Sequence, residues 1–547
     1  MMRIILFIFL FVPLLIFSQT KKEFSTYIKI EKLISTNELL EAEELTRKLL
    51  KKNKKWKKPH LLLHKIYWAQ EDFERSEFEY FIFYDININN LIPILDFAKK
   101  CFTHGFYNKS IKYLDHIGNF INDNTDPVIV QEYNYYINNC KFAIELIKNP
   151  VNFTFKNMGS KINSEYSEYL PYISADGNKF IFTRKVDLKG DIYQEDFYFS
   201  EKNNNIWGES SEMTINTLYN EGSITLSPDG KFLVFTSCNR KDGIGSCDLY
   251  FCEKVGGIWS VPKNLSYLNT RKWESQPCFS PDMKYLYFVS NRNGGYGGDD
   301  IWRSEIGING FLKPENLGPI INTKHNEMSP YLHPDNITLY FSSKGHLGMG
   351  DYDLFFSKRK NSESSWNIPE NLGYPINSHR KENSLIVSSD GKTAYFTSDI
   401  EGYGKEDIFY FKLPYEKRAD SLSNLEINII TQKIGNEIIF ENVNFESNSY
   451  QLTNNSYLEL DFLVNFLQKN LMINIHIEGH TDDIGNKDDN LKLSNNRAKS
   501  VYDYLLSEGI SSTRLTFQGY GEQKPLFLNN NDENRRKNRR TSFIITE

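Results

Sequence analysis

Apolar and polar positions change rhythm along the chain, and each rhythm predicts a different kind of element. Residues 4–17, "IILFIFLFVPLLIF", are apolar, with Arg3 before them and polar Ser18, Gln19 and Thr20 after. Fourteen residues are short of the ~20 a membrane-spanning helix needs. The run reads as a secretory signal over residues 1–19, cleaved near Ser18 or Gln19. Between residues 20 and 150 the period is helical. Leu39, Phe73 and Tyr107 are 34 apart, and small residues (Ala42, Ser76, Ser110) follow each by three. Residues 151–414 switch to short strands. Five segments align around "YISADGNKFIFTRK", "TLSPDGKFLVFTSC", "CFSPDMKYLYFVSN", "YLHPDNITLYFSSK" and "IVSSDGKTAYFTSD". Their aspartates, Asp176, Asp229, Asp282, Asp335 and Asp390, are spaced 53, 53, 53 and 55. A second set, Asp196, Asp248, Asp300, Asp353 and Asp407, precedes an apolar-aromatic pair. Each unit reads as turn, strand, Gly-rich loop, strand. After a mixed-charge linker at 415–437, residues 438–547 alternate strand and helix patterns in the order βαβαβ with a final strand. Thr453 stands where the first of these helices needs an N-cap, and Gly509 ends the second.

The 34-residue period, with its paired large and small residues, resembles the tetratricopeptide repeat, though only Gly105 fills the usual glycine place. Such stacks present concave surfaces to partner proteins. The 53-residue units resemble WD-type repeats of TolB-like propellers. "KNMGSKINS" before the first unit matches tails such as "PENLGYPINS" that follow the later units, while the fifth unit lacks one. The N-terminal piece is therefore expected to complete the last blade of a five-bladed, closed ring. The expected fold is multidomain: helical repeats, then an all-β propeller, then a small α/β sandwich.

The charge balance, 64 basic against 70 acidic residues, argues against bulk attraction to nucleic acid. Aromatics at 14% suit the strands. An exported chain permits disulfides; Cys238 and Cys247 flank a short loop between strands and are the expected pair, whereas Cys101 and Cys140 read as buried free thiols. "RKLLKKNKKWKK" (residues 47–58) reads as a solvated helix end, with lipid phosphates or an acidic partner as the alternative. His60 and His64 lack the glutamate of H-E-x-x-H and read as packing residues. The aspartates of the strand units, one per unit, do not converge on an ion. No metal and no cofactor is expected.

The last domain carries "GHTDDIG", Asn490, "LSNNRAKSVYDYL", "GI" at 509–510, "GYGEQKP" and "NRR" at 538–540. These motifs, in this spacing, resemble the OmpA C-terminal family, which binds peptidoglycan. The resemblance implies a clasp for the free zwitterion of diaminopimelate. Asp482, in the loop after a strand, takes the ammonium. Arg497, in the following helix, takes the carboxylate, for which its planar fork is suited. Thr481 and Asn490 shape the loop. Asp483, Asp488 and Asp489 are expected to be solvated, and the EF-hand spacing fails. The basic "NRRKNRR" corresponds to a helix leading to the last strand in this family, so no nucleic-acid role is read into it.

These readings describe a non-enzymatic envelope protein, periplasmic and held at the outer membrane and cell wall. Peptidoglycan is its ligand, and outer-membrane β-barrel or secretion-system proteins are its partners. The domain combination is similar to PorE-type subunits of type IX secretion. Two departures stand against that closer match: no lipidation cysteine follows the apolar run, and residues 415–437 leave no room for the regulatory-like domain expected there. The alternatives are a periplasmic receptor whose propeller binds a small ligand, and a propeller-bearing hydrolase. The hydrolase would need a G-x-S-x-G or H-E-x-x-H motif, and the chain has neither.

Overall fold

The computed structural model describes residues 21–84, 91–188, 192–204, 206–308, 310–400, 402–421, 435, 437–440, 443–446 and 449–546. The expected signal segment and most of the expected linker, residues 422–434 and 436, lie outside the described residues. The chain divides into two compact units, residues up to 101 with 109–137, and residues 102–108 with 138 onward. No described helix is long and apolar enough to cross a membrane.

Helices span Lys21–Ser35, Leu39–Lys52, Lys58–Ala69, Phe73–Tyr84, Leu91–Thr103, Tyr107–Gly118 and Pro127–Lys148. Leu39, Phe73 and Tyr107 each open the second helix of a pair. Ala42, Ser76 and Ser110 are fully buried. The Ser76 hydroxyl donates to the His64 carbonyl (2.9 Å) and the Ser110 hydroxyl to the Ala98 carbonyl (2.8 Å), which a larger side chain would prevent. Each turn between paired helices passes through a left-handed residue: Asn37 (φ 62°), Glu71 (φ 60°) and Gly105 (φ 77°). At the first two, the next amide donates to the carbonyl five residues back, Glu38 to Leu33 and Asp72 to Tyr67, both at 2.8 Å. This closure satisfies helix-end carbonyls and holds a non-glycine residue in the left-handed region. His60 and His64 do not converge: His60 Nδ1 lies 2.5 Å from Glu79 Oε2, and His64 Nδ1 lies 3.0 Å from the Ser76 carbonyl.

Residues 155–412 form five antiparallel sheets. Their three long strands are Ser167–Ile173, Lys179–Asp187 and Tyr193–Asn203 in the first, and Asn220–Leu226, Phe232–Cys238 and Cys247–Val255 in the second. The third has Glu274–Phe279, Tyr285–Ser290 and Asp300–Gly307, the fourth Glu327–Leu332, Thr338–Ser343 and Asp353–Lys358. The fifth has Asn383–Val387, Thr393–Ser398 and Asp407–Lys412, and Phe155–Asn157 pairs with the last of these. The first strands touch one another in order, and that of the fifth sheet touches that of the first. Large aromatics fill the space between sheets; Tyr250, Tyr287, Tyr340, Phe235, Phe288 and Phe341 are at most 1% exposed, so the "LYF" runs are core.

One junction repeats between sheets. A Cβ added to Gly245, Gly297, Gly350 or Gly404 would lie 1.7–2.2 Å from the carbonyl oxygen of Lys272, His325, Arg380 or Tyr166 respectively. Only glycine permits that approach. The last pair brings the fifth sheet against the residues just before the first. The loop amides beside these glycines donate to the recurring aspartates: Tyr296 to Asp300 (2.6 Å) and Tyr403 to Asp407 (2.7 Å), for example. Four of the turn aspartates accept from serine hydroxyls, as Asp229 does from Ser227 (2.6 Å), and Asp335 accepts from the Thr338 hydroxyl (2.7 Å).

A recurrence that the sequence pattern left unread is Glu168, Glu221, Glu274, Glu327 and Glu382, all buried. Each takes hydrogen bonds from a Ser or Thr four residues earlier, as Glu327 does from the Thr323 amide (2.7 Å) and hydroxyl (2.8 Å). Burial pushes Glu221, Glu327 and Glu382 up to about 7. Cys238 and Cys247 oppose each other on neighbouring strands and form a disulfide, Cα–Cα 4.0 Å. Cys101, Cys140, Cys252 and Cys278 are buried and unbridged.

The C-terminal sheet runs in the order Glu437–Ile439, Thr541–Ile545, Ile475–His480, Leu515–Gly521. Its last two strands are parallel, which demands a crossover; the helix Lys487–Ser507 supplies it. Helix Asn454–Lys469 and the short helix Asp532–Asn538 complete the layers. Leu460, Leu463, Ile477, Val501, Leu505 and Phe543 are fully buried between sheet and helices. Thr453 does sit at the N-cap, but its hydroxyl meets Ser456 Oγ (3.0 Å) and caps no amide.

Candidate functional site

The site grows from the strand–loop–helix that begins at Ile475. A Cβ on Gly479 would lie 2.2 Å from the Ser494 carbonyl, so glycine lets the crossover helix press onto the strand end. The loop is then fixed from several sides. The Thr481 amide donates to the Gly521 carbonyl (2.9 Å), and the Asn486 side chain caps the helix by accepting from the Asp488 amide (2.8 Å). Asn490 Nδ2 donates to the Ile484 carbonyl (3.1 Å), drawing the loop back onto the helix. The Thr481 hydroxyl, by contrast, has no hydrogen-bond partner among the described residues; Thr481 holds the loop through its backbone alone.

Asp482 is nearly buried. Its Oδ1 accepts from the Ile484 amide (3.1 Å) and its Oδ2 from Arg539 Nη1. Arg497 projects from the crossover helix. Its Nε donates to the Ser449 carbonyl (3.0 Å), and its guanidinium carbon lies 5.1 Å from the centre of the Phe445 ring. Burial pulls the Arg497 guanidinium down from its ordinary value; Arg539 adds to that and Asp482 opposes it. Asp482, Arg497 and Arg539 are therefore in electrostatic reach of one another. A cleft of about 530 Å³ is lined by Arg497 and Arg539, with Arg536, Lys537, Arg540, Phe445 and Phe527; Asp482 meets it through its partner Arg539. A fixed acid and a fixed base beside one cleft can hold a ligand carrying both charges.

Residues 444–539 match the family model described as OmpA family. The peptidoglycan-associated lipoprotein of Buchnera aphidicola is 36% identical over 124 residues, which cover 23% of this chain and 69% of that protein. The chain belongs to the OmpA family. Outer membrane porin F of Pseudomonas fluorescens is 35% identical over 103 residues, 19% of this chain and 32% of the porin, so the chain spans about a third of that relative's length. The solved peptidoglycan-associated lipoprotein of Burkholderia pseudomallei is 24% identical and covers 21% of this chain and 92% of its own; its TM-score of 0.18 is too low to carry a structural argument.

The OmpA-family domain adds ion pairs that the sequence reading did not include. Asp483 is not simply solvated, because the short helix Asp532–Asn538 brings Arg535 Nε within 2.9 Å of its carboxylate; Asp488 and Asp489 are exposed. The basic "NRRKNRR" is largely ion-paired: Arg535 with Asp483, Arg539 with Asp482, and Arg540 Nε with Glu437 (2.7 Å). Arg539, which sequence reasoning gave no role, is the resident cation of Asp482; its only signal was the "NRR" motif.

A second cluster lies behind the loop. Ligand-type atoms of Glu437, Glu478 and His480 fall within 4.8 Å of one another. Arg540 already pairs with Glu437, and Lys524 Nζ lies 2.9 Å from Glu478. Burial and the Arg540 charge pull His480 down to about 4, so it is neutral here. Two carboxylates balanced by two bases leave no charge for a metal cation to neutralise.

Proposed function

We propose that this protein is a non-enzymatic envelope component that anchors to peptidoglycan by gripping diaminopimelate of the stem peptide through its OmpA-family domain. The observation that carries this reading is the ion pair that ties Asp482 to Arg539, which lines one cleft together with Arg497, the two acid and base positions lying in electrostatic reach of each other. Asp482 takes the ligand's ammonium, competing with Arg539. Arg497, held at Nε by Ser449, offers its remaining N–H groups to the carboxylate. Thr481 and Asn490 fix the loop. The domains are the signal peptide at 1–19, helical repeats at 20–150, propeller at 151–414, linker at 415–437 and anchor at 438–547. The ring of first strands and the repeated glycine junctions support a closed propeller of five blades. Helical repeats and propeller together hold outer-membrane or secretion-system proteins. This places the protein in the periplasm, at the outer membrane and wall, where the Cys238–Cys247 disulfide is stable.

Co-sedimentation with purified sacculi tests the reading. The full chain is expected to pellet with sacculi that contain diaminopimelate, and Asp482→Ala and Arg497→Ala are each expected to stay in the supernatant. Each substitution removes a charged hydrogen bond of about 1.5–3 kcal/mol. Undiminished pelleting of both variants would remove the assignment.

A further inference from the structure

The cleft beside Asp482 is more cationic than a simple zwitterion requires. Five bases line it, Arg497, Arg536, Lys537, Arg539 and Arg540, the last paired with Glu437, and no acid is among its lining residues. The neighbouring ion pairs show which of these charges are spoken for. Lys537 Nζ lies 2.9 Å from Glu533, and Arg539 pairs with Asp482. Arg536 has no ion-pair partner among the described residues, and Arg497 donates to a neutral carbonyl and faces Asp482 only at longer range. Counting Asp482, Arg539, Arg497 and Arg536 leaves two positive charges unmatched. A ligand end with one ammonium and one carboxylate brings no net charge and leaves that excess in place. Phe445 and Phe527 also line the cleft and offer apolar surface beside these charges.

We infer that the cleft selects stem peptides carrying a second free carboxylate, with Arg536 as the residue that reads it, so that amidation of the stem weakens anchoring. This rests on the reading of Asp482 and Arg497 as the zwitterion clasp. Arg536 is on the exposed face of the short helix Asp532–Asn538, where a carboxylate further along the stem can meet it after the zwitterion has docked. Its side chain supplies a planar fork suited to a carboxylate and unsuited to a carboxamide, which carries no charge and presents its own N–H donors to the guanidinium.

The test is calorimetric titration of the full chain with two synthetic stem tripeptides containing diaminopimelate. One has every carboxyl free. The other is amidated at every carboxyl except that beside the free ammonium. Wild type is expected to bind the free form at least about ten-fold more tightly, the lower end of a charged hydrogen bond's worth. Arg536→Gln is expected to bind both forms alike, at the affinity wild type shows for the amidated form. Lys499→Gln, outside the cleft, is expected to keep the discrimination, which separates a specific reader from a general charge effect. Equal wild-type binding of both peptides, with binding still lost in Asp482→Ala, would overturn the selectivity and leave the clasp standing. Discrimination retained in Arg536→Gln would overturn the role of Arg536. Failure of wild type to bind either peptide would overturn the clasp and the selectivity together.

Discussion

Asp482 and Arg539, 57 residues apart in the chain, are joined by an ion pair beside the candidate clasp. The pair closes the loop after Ile475–His480 against the end of the short helix that precedes the last strand. Arg539→Ala leaves a nearly buried carboxylate with one backbone amide and no cation. The expected cost to the loop is about 1–3 kcal/mol, seen as faster amide exchange over residues 481–486 by mass spectrometry. Unchanged exchange there would mean that the pair does not hold the loop.

The buried glutamates give the five-sheet region a pH dependence whose sign follows from their burial. Glu327 takes its proton near 7 when folded, against an ordinary value of 4.5. Between those values the folded state holds a proton that the unfolded state has lost, so this group's contribution to stability falls as pH rises from about 4.5 through 7. Glu327→Gln removes that term. The excess of the wild-type unfolding midpoint over the variant's is expected to shrink steadily between pH 5 and pH 8 in scanning calorimetry. A constant difference across that range would contradict the buried, protonated state.

His480 has the opposite sign. It protonates near 4 when folded, against an ordinary 6.5, so it lowers the stability of the OmpA-family domain as pH falls from 6.5 towards 4. The ring carbon resonances of His480 are expected to report the neutral imidazole at pH 5.5. Imidazolium shifts at that pH would mean that the Glu437 and Glu478 carboxylates outweigh burial and Arg540.

Gly404 lies at the seam between the fifth sheet and the residues before the first. A Cβ there would sit 1.7 Å from the Tyr166 carbonyl. Backbone cannot yield as a flexible side chain can, so Gly404→Ala is expected to cost about 2 kcal/mol or more, as overpacking does, and to lower the unfolding midpoint of the five-sheet region. A midpoint equal to wild type would show that the seam is loose and would count against a closed ring.

Much of this architecture is legible because a few residue types have no substitute in their places. Ala42, Ser76 and Ser110 mark helix pairs, since only a small side chain fits where one helix crosses the other. Gly479 and the aspartate-bearing turns are legible for the same reason. Asn37 and Glu71 were not, because their left-handed conformation is imposed by hydrogen bonds to Leu33 and Tyr67 rather than by a glycine. Glu168 and its four counterparts escaped because a glutamate in a strand reads as solvent-facing until its Ser or Thr partner is seen four residues earlier. Within the site, Asp482, Arg497 and Asn490 could be named from motif spacing. The pairing of Arg539 with Asp482 could not, because nothing in a run of seven mostly basic residues says which arginine reaches back 57 positions.

The central claim is the division of labour between Asp482 and Arg497, and a crystal structure of the full chain with a diaminopimelate-containing stem peptide tests it most directly. The expected result is the ligand's ammonium within about 3 Å of the Asp482 carboxylate, with Arg539 displaced or shared, and its carboxylate at the same distance from the Arg497 guanidinium. A ligand seated elsewhere on the domain, or one whose ammonium makes no contact with Asp482, would contradict it.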